Sequence, residues 1–320
     1  MPDWLWGVGL ALIFTGCAGV PPTLPPATLT LLPAVAATPL PAATPAPAVI
    51  PMPTATPVAL FAPQPVLTTP TVFLPEISAL FTLTVLYDNV AYDTRLQTDW
   101  GFACLVQGPE QTVLFDTGGK GAVLLHNMRV LGVDPQAVDA VVLSHAHNDH
   151  TGGLARFLAE NPRVTVYMLA SFPAGIKATV QEAGANLVEI AEPMPLNSWA
   201  FSTGNLGGSV PEQALVVESP RGSVVVSGCA HPGITTVVRQ AQSLVNRDTC
   251  LVLGGLHLVD ANTAHIAAVI AELQALGVQS VAPSHCTGAK AMSAFAEAFD
   301  AAYRSSGVGQ RFVIASEGEP

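Results

Sequence analysis

Charge is scarce in this sequence. Only 11% of its 320 residues carry it, 12 Lys and Arg against 23 Asp and Glu, for a formal net charge of −11. Lysine occurs only at Lys120, Lys177 and Lys290. A nucleic-acid binder needs clustered cations to displace counterions from phosphates. The chain has no such cluster, so no nucleic-acid partner is expected. Cysteine is sparse as well. Cys17, Cys104, Cys229, Cys250 and Cys286 are scattered, and two of them adjoin or nearly adjoin a histidine. That spacing does not describe the disulfide framework of a short Cys-dense chain.

The shortage of charge is extreme in residues 1–75, where Asp3 is the sole charged side chain. What stands there instead is an apolar stretch, WLWGVGLALIFTGCAGV, followed by more than half of the chain's 28 prolines. The apolar stretch is short for a membrane span of about 20 residues and fits the core of a signal peptide, about 7–15 residues. Its ending, FTGC, resembles a bacterial lipoprotein signal, with Cys17 as the residue that would carry the lipid. Phe14 stands where Leu is usual, and no Lys or Arg precedes the apolar core. An uncleaved membrane anchor is the other reading of the same segment. Residues 18–75, rich in Pro, Ala and Thr, read as an extended, polyproline-like spacer, because proline fixes φ and removes donors. A signal over 1–17, a linker over 18–75 and a folded domain over 76–320 is the expected organisation. It implies an exported protein held at the extracytoplasmic face of a membrane.

From residue 76 onward the pattern is that of an α/β domain. Phe81 to Asn89 alternates like a strand, and CLVQ and TVLFDTG form a hairpin pair across Gly108 and Pro109. Helical spacing follows over residues 122–132. DAVVLS is a short, wholly apolar strand of the kind buried on both faces. Further strands are expected at RVTVYMLA, ALVVES, SVVVSGCA, CLVLGG, SVAPSH and RFVIAS, with helices at GLARFLAEN, GITTVVRQAQSLV, AHIAAVIAELQALG and AMSAFAEAFDAAYR. Strands alternating with helices imply layers with the helices outside. Several strands end in ligating residues: Asp116, the run from Ser144 to His150, Cys229 to His231, His257 and His285. Side chains gathered at strand ends from distant parts of a chain are how an α/β scaffold builds a site on one edge.

Residues 144–153 read SHAHNDHTGG. His145, His147, Asp149 and His150 sit on a loop between a buried strand and a Gly pair, and Gly152 and Gly153 let the chain turn sharply into the next helix. Imidazole and carboxylate suit zinc, iron and manganese alike. Alternating ligands converge on one point, and the adjacent Asp149 and His150 face a second. Two cations about 3.5–4 Å apart fit that layout.

HAHNDH resembles the HxHxDH signature of the metallo-β-lactamase superfamily, and VLFDTG resembles its first motif, whose aspartate, here Asp116, braces the metal loop. The succession LFDTGGKGAVLLHNM, GCAHPGI, LGGLHL and PSHCTG is similar to the subgroup of 7,8-dihydropterin-6-methyl-4-(β-D-ribofuranosyl)aminobenzene 5′-phosphate synthase-like proteins. The resemblance covers about Phe81 to Ser316. It implies an αβ/βα four-layer sandwich of two mixed β-sheets with helices outside. It also implies two divalent metal ions, zinc first, with His145, His147 and a third histidine on one, and Asp149, His150 and His285 on the other. The superfamily's usual GH motif is missing: that region reads TGNLGGS, and Cys229 stands where a bridging aspartate is usual. His231, two residues on, is therefore assigned as the missing ligand. Cys229 is either a bridging thiolate or a small buried residue. His257 has a substrate-binding or a structural role. Asp88, Asn89 and Trp100 border the pocket. His126 and His265, within helices, are not ligands, and Cys286 is expected to point away from the site in an extended chain. The implied activity is that of a metal-dependent hydrolase acting on an ester, phosphate or pyrophosphate-bearing small molecule, with Asp149 orienting the water. A lactonase or lactamase, or a non-catalytic metal-binding surface lipoprotein, are the alternatives.

Overall fold

Short apolar strands dominate the chain, and they come in two groups. The structure, a computed structural model, describes residues 80–315, so Cys17, the signal segment and the linker lie outside the described residues. The first group is β1 (Phe81–Tyr87), β2 (Ala103–Gln107), β3 (Thr112–Phe115), β4 (Ala140–Val142), β5 (Thr165–Leu169) and β6 (Asn186–Ile190). Between them lie α1 (Gly121–Val130), α2 (Asn148–Thr151), α3 (Leu154–Glu160) and α4 (Ala174–Glu182). The second group is β7 (Met194–Pro195), β8 (Ala200–Ser202), β9 (Leu215–Ser219), β10 (Gly222–Ser227), β11 (Thr249–Gly255) and β12 (Val281–Ser284). Its helices are α5 (Ile234–Val245), α6 (Thr263–Ala275) and α7 (Ala289–Phe299), and the last strand is β13 (Arg311–Ile314).

Seven strands form one sheet in the order β13-β1-β2-β3-β4-β5-β6, and six form the other, β12-β11-β10-β9-β8-β7. Both are mixed: β3 to β6 run parallel, as do β10 to β12, while the hairpin strands pair antiparallel. Alternation along each strand explains the layering. Phe81, Leu83 and Val85 face Trp199, Leu215, Val217, Val224 and Val226 in the apolar layer between the sheets. The opposite faces of the first sheet, Leu105, Leu114, Val141 and Val166, pack on Leu124 and Met128 of α1 and Phe157 of α3. Val216, Val225 and Val252 of the second sheet pack on α5, α6 and α7. In α5 the buried residues Ile234, Val237, Val238 and Ala241 follow helical spacing, and Asn246 ends the helix in the left-handed conformation. Each fully buried Val, Leu or Phe contributes about 1.5–3 kcal/mol relative to exposure. The result is the αβ/βα sandwich with helices outside.

Three local features differ from the sequence reading. The ligand segment is not all loop, because Asn148–Thr151 closes a helical turn with His147 as its N-cap. Gly152 and Gly153 have ordinary helical φ of −65° and −79°; a Cβ on Gly153 would lie 2.1 Å from the carbonyl oxygen of Thr117, so closeness of approach, not a sharp turn, requires glycine there. The last helix stops at Phe299 because Asp300 turns left-handed, φ 45°, and residues Asp300–Ala302 tighten into a 3-10 turn.

Candidate metal centre

The carboxyl-terminal ends of β3, β4, β10, β11 and β12 share one edge of the sandwich, and each hands a side chain to the same place. After β3, Asp116 is fully buried with a left-handed φ of 58°. Its carboxylate accepts the Ser144 backbone N–H and hydroxyl, both at 2.7 Å, and lies 2.7 Å from Nδ1 of His150. The Ser144 hydroxyl, already donating to Asp116, accepts from Nδ1 of His145 at 2.9 Å. Asn89 receives Nδ1 of His285 on its side-chain oxygen at 3.0 Å. Three imidazoles thus have Nδ1 committed, which fixes the tautomer and leaves Nε2 as the free donor.

Those donors fall into two groups. Ligating atoms of His145, His147 and His231 lie within 4.8 Å of one another, and so do those of Asp149, His150 and His285. Nε2 of His145 and Nδ1 of His147 approach to 3.1 Å. One Asp149 oxygen stands 3.4 Å from Nε2 of both His150 and His285. Cys229 lies between the groups, its sulfur 3.3 Å from Nε2 of His150, and it forms a further set with His145 and His150. Nε2 of His231 and Nε2 of His285 are buried without a hydrogen-bond partner. Buried polar atoms are normally satisfied, and nitrogen donors left open around an ionised carboxylate fit a divalent cation.

The electrostatics agree. Burial, reinforced by His150, His231 and His147, holds the pKa of His145 far below the ordinary imidazole value. Burial and the neighbouring His257 and His147 lower His231 to about 4. Both rings stay neutral, as ligands must. For His150, burial opposes protonation, but Asp116 on one nitrogen and Asp149 on the other raise its pKa to about 10. Burial works against ionisation of Asp149 too, yet His150 and His285 hold it well below the usual carboxylate range.

Asp88 is buried, and burial raises its pKa to about 6. Trp100 is exposed, its ring 4.9 Å from that of His285. His257 places its ring 4.2 Å from His231. His126 lies on α1 and belongs to neither group, while His265 on α6 lines a cavity of about 380 Å³ together with His231 and His257. Cys286 does not point away. His285 has φ 50° and residues His285–Thr287 form a 3-10 turn, so the chain is not extended there, and the thiol turns inward toward Cys229 and His257.

Sequence reasoning missed Glu212. This carboxylate is 1% exposed and accepts the backbone N–H groups of Cys229, Ala230 and His231 at 2.8, 2.9 and 2.8 Å. It shapes the loop that presents Cys229 and His231. Its one legible trace is an acidic residue three positions before the start of β9. Strain gathers at the same edge: of the six non-glycine residues with positive φ among the described residues, four are Asp116, Ala230, His257 and His285.

Comparison with known proteins gives consistent results. A family model described as the metallo-beta-lactamase superfamily matches residues 101–240. The 7,8-dihydropterin-6-methyl-4-(β-D-ribofuranosyl)-aminobenzene-5′-phosphate synthase of Methanocaldococcus jannaschii is 29% identical over 68% of this chain and 90% of its own length. A solved metal-dependent hydrolase of the β-lactamase superfamily superposes with a TM-score of 0.64 at 26% identity, over 74% of this chain and 100% of that one. A diphosphatase from the PhnP family shares the fold, TM-score 0.50 at 14% identity, over 74% of this chain and 98% of its own.

Proposed function

This chain belongs to the metallo-β-lactamase superfamily, and from that premise we propose that it is a hydrolase that binds two divalent cations, zinc first, and cleaves an ester, phosphate or pyrophosphate bond in a small molecule. One observation carries the reading. Two sets of nitrogen and oxygen donors converge at one edge, with buried Nε2 atoms of His231 and His285 left without partners. His145, His147 and His231 would hold one cation; Asp149, His150 and His285 would hold the other. The thiol of Cys229 between the sets favours zinc over a purely oxygen-seeking ion such as manganese. Bound cations would lower the pKa of a water toward about 7 and polarise the bond under attack.

The chain's own residues do the rest. Asp149 stays ionised, so it can ligate and accept a hydrogen bond that aims the attacking water. Asp116 and Asn89 fix the rings of His150 and His285. Glu212 sets the loop carrying His231. Support for the hydrolytic reading comes from the related metal-dependent hydrolase. The related synthase supports a substrate with a phosphate or pyrophosphate group. Export with a lipid on Cys17 belongs to the same proposal, and its support is the amino-terminal sequence alone.

The test is a substrate panel of phosphomonoester, phosphodiester, pyrophosphate, lactone and lactam, with and without chelator. Turnover of a phosphate or pyrophosphate, lost with chelator and restored by zinc, is the expected result. Lactone or lactam turnover would move the protein to the lactonase or lactamase reading. No turnover in any metal form would leave a metal-binding protein without catalysis.

A further inference from the structure

Outside the two donor sets lies a third group. The sulfurs of Cys229 and Cys286 and a ring nitrogen of His257 lie within 4.8 Å of one another. They come from the ends of β10, β12 and β11, the parallel trio of the second sheet. Two thiolates on one tetrahedral zinc stand about 3.8 Å apart, from bonds of about 2.3 Å. The cluster is therefore already close to ligating dimensions.

Several features of the backbone build it. A Cβ on Gly255 would stand 2.7 Å from the Cys286 sulfur and 3.2 Å from Cα of Cys229, so the absence of a side chain there is what lets the two cysteines meet. The left-handed His285 turns Cys286 inward. His257 is left-handed too, φ 51°, and its backbone N–H donates to the Cys286 sulfur at 3.3 Å. An N–H aimed at sulfur stabilises the thiolate form, the form that ligates. Thr287 ties the same turn to β11 by accepting the Leu256 N–H at 3.1 Å. Both cysteines are buried, 4% and 3% exposed, while His257 reaches solvent and gives a cation its way in.

We propose that Cys229, His257 and Cys286 form a separate site for a soft, closed-shell cation of the zinc type, next to the His and Asp centre. Thiolate ligands select such ions, whereas the carboxylate of Asp149 suits harder ones. The occupant has three protein ligands, so a tetrahedral ion would complete its shell with a water on the side where His257 meets solvent. The ion pins together the ends of β10, β11 and β12, two of which carry His231 and His285. Cys229 touches both regions, with His150 on one side and Cys286 on the other.

The experiment is anaerobic titration of the metal-free, reduced full-length protein with Co²⁺ and with Zn²⁺. Bound equivalents and the near-ultraviolet thiolate-to-cobalt absorption are followed together. Wild type is expected to bind one equivalent more than Cys286→Ser or His257→Ala, and Cys286→Ser loses at least half of the sulfur absorption. His257 is exposed, so His257→Ala remains a test if Cys286→Ser does not fold. Equal stoichiometry and equal absorption in wild type and His257→Ala would overturn the site. A disulfide joining Cys229 to Cys286 in freshly isolated protein, seen as two missing hydrogens by mass, would also overturn it, because oxidised sulfurs cannot ligate as thiolates. None of these readouts requires hydrolysis, so the site stands or falls independently of the proposed activity.

Discussion

Replacing Glu212 with Gln probes how the loop 229–231 is held. One carboxylate oxygen accepts two backbone N–H groups, from Cys229 and Ala230, and the other accepts that of His231. The Gln carbonyl oxygen can keep the first pair. Its amide group would then face the His231 N–H, donor against donor. The lost charged hydrogen bond is worth about 1.5–3 kcal/mol, and the stranded N–H costs about 1–3 kcal/mol more. Part of this is offset, because burial disfavours the ionised carboxylate and raises its pKa. The expected net destabilisation of metal-free protein is about 2–4 kcal/mol, read from denaturant unfolding. Glu212→Ala strands all three N–H groups, about 3–9 kcal/mol, which rivals the whole stability of a domain, about 5–15 kcal/mol. Metal affinity, read by competition with a chelator, is expected to fall about 10–100-fold in Glu212→Gln, the usual consequence of removing a group that orients a ligand. Stability within about 0.5 kcal/mol of wild type, the range of an ordinary surface change, would refute the assignment.

Asp116→Asn removes the larger of the two carboxylate charges that raise His150 to about 10, so in metal-free protein the His150 pKa should fall well below its wild-type value while Asp149 still holds it up in part, as checked by imidazole NMR titration. Asp88 titrates near 6 when folded against an ordinary 3.8, so its contribution to stability is full below pH 3.8 and lost as pH rises through 6. Asp88→Asn, which does not titrate, should gain on wild type by on the order of 3 kcal/mol between pH 4 and pH 7 in metal-free unfolding curves. Gly153→Ala places a methyl 2.1 Å from the Thr117 carbonyl oxygen; overpacking of this kind costs about 1–3 kcal/mol and should show as a lowered Tm. His231→Ala should lose one bound cation by elemental analysis, and unchanged stoichiometry would remove it from the ligand set.

Much of this fold could be read from the amino acids because its central strands are buried on both faces. DAVVLS and CLVLGG are unbroken apolar runs with no competing helical period, and β4 and β11 are fully buried. The stretch from α4 to β8 was not legible. β6 lies at a sheet edge with only Ile190 fully buried, so its residues show no alternation. At the site, the ligand run was conspicuous because four donors are nearly contiguous. Glu212 was silent because it acts on backbone groups, which carry no residue code. Cys286 was misplaced because its direction depends on a left-handed His285, a conformation that nothing in a non-glycine side chain announces.

The place of β13 has a consequence for the nascent chain. It flanks β1, pairing Ile314 with Phe81 and Arg311 with Thr84, so an early strand waits for a late neighbour. The two are 230 residues apart, 311 − 81. At about 5–20 residues per second the ribosome needs roughly 10–50 s to supply it. Throughout that interval β1 offers an open row of amides and carbonyls to any passing strand. A product truncated before Arg311 would keep that edge bare for good, and self-association would be its fate.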